Sequence, residues 1–330
     1  MKKILLFLMI TCCSGMALAN FNDGEKAFKE QRWPIAYAEF KPLADEGDIR
    51  AQYYTGYLTL HGLGTAKNTK RAINYLNMAA AQDSDMAQAM LGYLYSEGIG
   101  VKKNKKKSVE LYEKAAQKGN SDALLNLGVM YYTGDNMPKD VNKALEYLTK
   151  VPTMDKPIAA RYLAEIYLNE PSVQDPQKSF NYYTIAARAD DINSFHNLGY
   201  MYQNGIYVSK NISEAIKFYT YAAAKGYEPS LYALGVIYAN GDGVSVDTAK
   251  AHAYFSLAAT KEMKEAENAK KHLEEGMSLS ERNKANQAMI NIQEKELNSP
   301  ILPINNNTTV EKTQTKPKKP SRTVIRRRRR

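Results

Sequence analysis

Cysteine is nearly absent from this chain. Its 330 residues include two, Cys12 and Cys13. Residues 20–330 therefore offer no disulfide, no thiolate nucleophile and no cysteine metal site. Beyond the N-terminus no apolar run reaches the ~20 residues that cross a bilayer. Glycine (19) and proline (12) are too few for a collagen-like or wholly low-complexity chain. No G-x-S-x-G, H-E-x-x-H or P-loop signature occurs. The stretch GIGVKKNKKKS (98–108) lacks the GK[ST] spacing of a phosphate loop. The four histidines, His61, His196, His252 and His272, have no metal-ligand spacing. Neither a metal, a cofactor nor an enzymatic activity is expected.

Charge of one sign is also scarce in most of the chain. The net charge is +10, but residues 298–330 hold ten Lys/Arg against Glu311, and Lys2 and Lys3 add two more. Residues 20–297 carry −1. The basic character belongs to a tail, not to a fold. That tail, 298–330, has too few apolar residues to offset chain entropy and is expected to be disordered. It ends in Arg326, Arg327, Arg328, Arg329 and Arg330.

The N-terminus combines Lys2-Lys3, the short apolar run ILLFLMI and Ala17-Leu18-Ala19. This is the pattern of a secretory leader, with cleavage expected after Ala19. A lipoprotein would need Gly, Ala or Ser before its cysteine; Thr11 and Cys12 stand there instead. The mature chain is expected to be exported, to the periplasm or outside the cell, with no transmembrane segment.

What fills the middle is a repeat. Glycines recur at Gly56, Gly92, Gly128, Gly199 and Gly235, with Ala164 in the gap. Six residues on come Gly62, Gly98, Gly134, Gly205 and Gly241, with Glu170 breaking the set. A capping residue follows at Asn68, Asn104, Asp140, Asp175, Asn211 and Asp247. A small residue then recurs at Ala72, Ser108, Ala144, Ala215 and Ala251, and Tyr- and Ala-rich segments close each unit. The first glycine lies inside a helix, where it costs about 1 kcal/mol against alanine, so it predicts close approach of a neighbouring helix. The second predicts a left-handed helix end. Tyr207, where other units have a turn glycine, predicts a different turn there. Each unit reads as helix, turn, helix, and such units bury their faces by stacking in series.

Six units are expected over 51–265, after an N-terminal partial repeat or cap at 20–50 in which Trp33 packs at the start of a helix. The fourth unit, about 159–193, is degenerate. Pro152, Pro157, Pro171 and Pro176 crowd its edges, and a looser joint is expected between 151 and 176. Residues 266–297 read as capping helices.

The units AQAMLGYLYSEGIGVKKNKKKSVELYEKAAQKG (87–119) and PSLYALGVIYANGDGV (229–244) resemble Sel-one-like repeats, relatives of the tetratricopeptide repeat. The resemblance covers roughly 36–265. It implies an all-α, right-handed α/α superhelical solenoid that acts as an adaptor binding a protein or peptide. Lys106-Lys107-Ser108, Tyr207 and the fourth unit depart from the family pattern. One cysteine-rich branch is linked to penicillin binding; its cysteines are missing here, and that activity is not carried over.

In the related fold the first helices line the concave side. The candidate partner-binding residues off the core stripe of those helices are Tyr57, Tyr93, Asn126, Asn197 and Tyr200. Asn126 and Asn197 stand two residues before a marker glycine, where an inward polar side chain is expected. The alternative expectation is a polyanion tether, with Arg326–Arg330 holding an anionic surface. The expected export makes nucleic acid the least favoured target, and no aromatic residues interleave the tail as they do in single-strand binders.

Overall fold

In a computed structural model the described residues are 19–135, 137–153, 156–298 and 300–304. They form sixteen α-helices and one π-helical turn, with no strand among them. They divide into two compact units between Val151 and Pro152.

Unit 1 holds α1 (Phe21–Lys29), α2 (Trp33–Asp45), α3 (Ile49–His61), α4 (Thr69–Ala81), α5 (Asp85–Glu97), α6 (Lys105–Gln117), α7 (Ser121–Thr133) and α8 (Val141–Leu148). Consecutive helices pack as antiparallel neighbours joined by short turns, hairpin against hairpin. The segment before the first full unit is a complete hairpin, α1 with α2. Trp33 meets Phe28 edge-on at 5.2 Å, and Phe40 stacks on Tyr54 at 4.7 Å to join this hairpin to α3.

Gly128 shows why the marker glycines lie inside helices. A Cβ there would fall 2.5 Å from Leu148 Cγ, so α7 and α8 could not approach as closely with any side chain. The helix starts follow the capping rule: Asn68, Asn104 and Asp140 each accept the backbone N–H three residues on, at 3.0 Å. The same caps recur in unit 2 at Asp175, Asn211 and Asp247.

Unit 2 holds α9 (Pro157–Asn169), α10 (Pro176–Arg188), α11 (Ile192–Asn204), α12 (Ile212–Ala224), α13 (Glu228–Asn240), α14 (Thr248–Ala259), α15 (Lys264–Gly276) and α16 (Leu279–Asn291), then a π-helical turn at Ile292–Leu297. α14 packs against both α15 and α16. Ser278 and Glu281 form a capping box at the start of α16.

Two expectations need correcting. Tyr207 does not make a different turn; it adopts the same left-handed conformation as the turn glycines, at φ 65°. Its ring lies 5.6 Å from Phe180, and this contact offsets the ~1–2 kcal/mol that the conformation costs a residue with a Cβ. The segment expected to be disordered from 298 is ordered further on than the composition indicates. The π-helical turn runs beside α12. Ile304 is buried in the cluster that contains Phe180, Phe195 and Phe218. One isoleucine with an aromatic pocket is enough to hold five residues that a composition window averages away. Residues 305–330 lie outside the described residues, as do 1–18.

Ser108 and Ser179 are fully buried, and their hydroxyls have no hydrogen-bond partner among the described residues. Other units place alanine at this position. Ser108→Ala and Ser179→Ala are each expected to raise stability by about 1 kcal/mol, since the change removes an unpaired buried polar group of similar size. Thermal unfolding of each variant checks this, and a lower midpoint would contradict it.

Candidate functional site

A cavity of about 490 Å3 opens in unit 1 on the side formed by the first helices. Met86, Met90 and Leu94 of α5 and Leu60 of α3 provide apolar surface. Tyr53, Tyr93 and Ile99 add larger walls, and Asn120, Asp122 and Asn126 contribute polar groups from the start of α7. Lys67 and His61 stand at the turn after α3.

Local structure positions these groups. Asn120 caps α7 by accepting from Ala123 N–H at 3.0 Å, while its amide donates to the Asp85 carboxylate at 3.0 Å. One residue thus ties the starts of α5 and α7 together. The Asn126 amide donates to the Asp122 carbonyl at 2.7 Å, within its own helix. Burial, with nearby Tyr54, Tyr57, Asp122 and Asp85, pushes the Tyr53 phenol up to about 12. Burial and the adjacent Lys67 lower the His61 imidazole. Both groups are therefore neutral at pH 7. The cavity combines an apolar interior with the hydrogen-bonding groups of Tyr53, His61, Asn120 and Asn126 and with one basic and one acidic residue, Lys67 and Asp122, which suits the binding of an apolar side chain and its neighbouring amides.

The structure brings two candidate residues together here, Tyr93 and Asn126. Tyr93 is 46% exposed, an unusual state for so large a ring without a partner. Tyr57 is not among the lining residues. It is half-buried in an aromatic stack with His61 at 4.5 Å and Phe28 at 5.6 Å.

Unit 2 has its own smaller cleft, about 290 Å3, between α11 and α13. Tyr200 lines it with His196, Gln203, Tyr232 and Met263. Asn197 does not; its amide donates to the Asn193 carbonyl at 2.9 Å. His196 Nδ1 shares a hydrogen bond with buried Ser230 Oγ at 2.9 Å. Burial lowers the His196 imidazole to about 4.

Arg326–Arg330 lie outside the described residues. No group of three or more His, Cys, Asp or Glu is placed to hold a metal ion among the described residues. Likewise, none of their helices is long and apolar enough to cross a membrane.

Sequence reasoning missed Met86, Met90, Tyr53 and Ile99. Met90 was within reach, because it occupies the same offset before Gly92 that Asn126 occupies before Gly128. A search for polar residues at that offset passes over a methionine.

The family model described as Sel1 repeat matches residues 49–84, 85–120, 121–150, 157–191, 196–227 and 229–262. Among curated proteins none matches the chain. Among solved structures, a protective antigen of uropathogenic Escherichia coli with an SLR fold is similar at a TM-score of 0.72 and 23% identity. The match covers 84% of this chain and 64% of that one, so this chain spans under two thirds of the antigen's length. A Sel1 repeat protein from Oxalobacter formigenes is similar at a TM-score of 0.65 and 25% identity, covering 73% of this chain and 96% of that one. The Sel1 repeat is a non-enzymatic, all-helical scaffold unit typical of proteins that bind other proteins. With six such repeats over most of its described length, arranged as tandem hairpins, the chain belongs to the Sel1 repeat family.

Proposed function

We propose that this protein is an exported scaffold that holds an extended segment of a partner protein against the first helices of unit 1. The observation that carries the reading is the cavity of Met86, Met90, Tyr93 and Asn126. A flexible methionine floor accepts apolar side chains of several shapes. An exposed tyrosine supplies contact area at low entropic cost. Neutral amides beside it suit the backbone of an extended peptide. Export rests on the leader-like N-terminus and leaves the absence of cysteine without consequence, since packing and capping hold the repeats together.

The test is affinity capture from envelope extracts with residues 20–330, run beside Met90→Glu and Tyr93→Ala. A partner retained by the native chain is expected to bind each variant at least 10-fold more weakly, with unchanged thermal midpoints. A truncated interfacial Tyr commonly costs 1 kcal/mol or more, and a buried carboxylate more still. A partner held equally well by both variants would move the site elsewhere. The charge of the tail supports a second reading, in which Arg326–Arg330 tether the scaffold to an anionic surface.

A further inference from the structure

We propose that unit 1 carries a second interaction surface, a lysine ridge along the turns of three consecutive repeats, which takes an acidic extended segment of a protein. Lys67 borders both the methionine cavity and the ridge, but none of the other ridge cations lines that cavity, and the proposal does not rest on that reading.

The turn segments 61–71, 97–107 and 133–143 hold ten lysine or arginine residues against three acids, a net +7. Lys67, Lys70 and Arg71 come from the first turn. Five lysines between 102 and 107 come from the second, and Lys139 and Lys143 from the third. All ten are exposed. The corresponding segments of unit 2, 169–179, 204–214 and 240–250, hold three cations against five acids, a net −2. Those turns have the same caps and the same hairpin. The repeat therefore does not need lysine at these places, and the concentration in unit 1 calls for its own reason.

Helix stability is not that reason. α4, α6 and α8 have no acid in their first turns beyond the cap, and α6 opens on three lysines. Each such charge opposes the positive end of the helix dipole. Salt bridging is not the reason either. Lys105 reaches Asp135 of the next turn at 3.3 Å, but Lys70, Arg71, Lys102, Lys103 and Lys106 make no ion pair among the described residues.

The turns form one continuous file. A Cβ on Gly100 would fall 2.2 Å from Thr69 Cγ2, so the second turn rests directly on the start of α4. The Lys105–Asp135 pair joins the second turn to the third. Within the file, a depression of about 480 Å3 is lined by Tyr95, Val101, Lys102, Lys103, Asn104 and Lys107. Lys107 Nζ donates to the Tyr95 hydroxyl at 2.8 Å and lies 4.3 Å from its ring centre, which keeps an ammonium over the hollow.

These features select the occupant by charge complementarity. A single file of cations with a hollow for one side chain matches a chain of carboxylates with an occasional larger residue. A bilayer would meet a flat face with apolar residues to insert, not a file of turns. One arginine among ten cations offers little of the forked geometry that reads phosphate groups. Charge steering of this kind governs the association rate and its dependence on salt.

The test uses the full chain and a labelled peptide of alternating Glu and Ser, about 15 residues long, followed by fluorescence anisotropy from low to physiological salt. The ridge variant combines Lys70→Ala, Arg71→Ala, Lys102→Ala, Lys103→Ala and Lys106→Ala; a Lys/Arg→Gln set replaces it if the first does not fold. The comparison variant replaces Arg326–Arg330 by alanine. The ridge variant is expected to bind at least 10-fold more weakly than the native chain, with a flatter salt dependence. The tail variant is expected to lose less than 3-fold. Equal binding by the ridge variant and the native chain would overturn the proposal. So would a loss confined to the tail variant. Phosphatidylglycerol vesicles form the last arm: ridge-dependent vesicle binding without peptide binding would also overturn it.

Discussion

Gly64→Ala is expected to destabilise unit 1 by about 2–5 kcal/mol, although it adds one methyl group on the surface. Gly64 sits at φ 69°, in the left-handed region. A Cβ built on it falls 2.2 Å from the Trp33 carbonyl oxygen and 2.6 Å from Pro34 N. These are backbone atoms at the start of α2, so no side-chain rotation relieves the overlap. The turn or the helix must move, and the hairpin α1–α2 loses its seat. Gly47 is the comparison. It also has a positive φ, 102°, but nothing lies within 4 Å of a Cβ there. Gly47→Ala should cost only the conformational part, about 1–2 kcal/mol. Urea unfolding of both variants measures the difference. Equal losses at the two positions would show that the turn does not bear on α2.

The second large effect is on pH. Burial lowers the His196 imidazole to about 4, against 6.5 in the unfolded chain. Between these values the unfolded chain binds a proton that the folded chain does not. Stability therefore falls as pH drops from 6.5 toward 4, and is unaffected above 6.5. The full span of the shift corresponds to about 3 kcal/mol, and partial solvent access at the cleft reduces this to about 2. The ring rests 5.2 Å from both Tyr219 and Tyr227, and its Nδ1 faces Ser230. Protonation brings a charge among groups that offer it no carboxylate. The unfolding free energy from urea titrations should fall by that amount between pH 7.5 and pH 4.5 for the native chain and clearly less for His196→Asn. A variant that loses as much as the native chain would place the acid sensitivity on other groups.

These two residues mark how far the sequence could be read. The periodic glycines gave the hairpins, their caps and their stacking, because a helix glycine has a cost that only packing repays. What the period could not show was the neighbour each turn rests on. At Gly64 that neighbour is backbone, and at 207 it is a phenylalanine ring that accommodates tyrosine. The fourth repeat is one residue shorter than its neighbours and lacks both glycines. There the chain leaves α9 through Glu170 in an extended conformation at φ −97°, and Asp175 still caps α10. A missing residue and a missing glycine thus compensate each other, which appears as decay in the letters alone.

The candidate site was legible only in part. Tyr93 and Asn126 share the cavity because their offsets from Gly92 and Gly128 place them on facing helices. Tyr57 has the same offset as Tyr93. It is drawn into the aromatic stack instead, because Phe28 of the N-terminal hairpin approaches it. A repeat-based rule assumes equal neighbours, and the first repeat has an unequal one. The methionines escaped because their role depends on shape rather than on hydrogen bonding.

The burial of Ile304 changes the point from which the reach of the basic end is counted. The block Arg326–Arg330 begins 22 residues past this anchor. Contour length alone limits it to roughly 75–90 Å from the phenylalanine cluster. The point from which that limit is counted lies partway along unit 2, not at the last helix. Under the second reading proposed above, an anion held by this block would lie within that radius of the fifth repeat, and deleting residues between 305 and 325 would shrink the radius without altering the block or the scaffold.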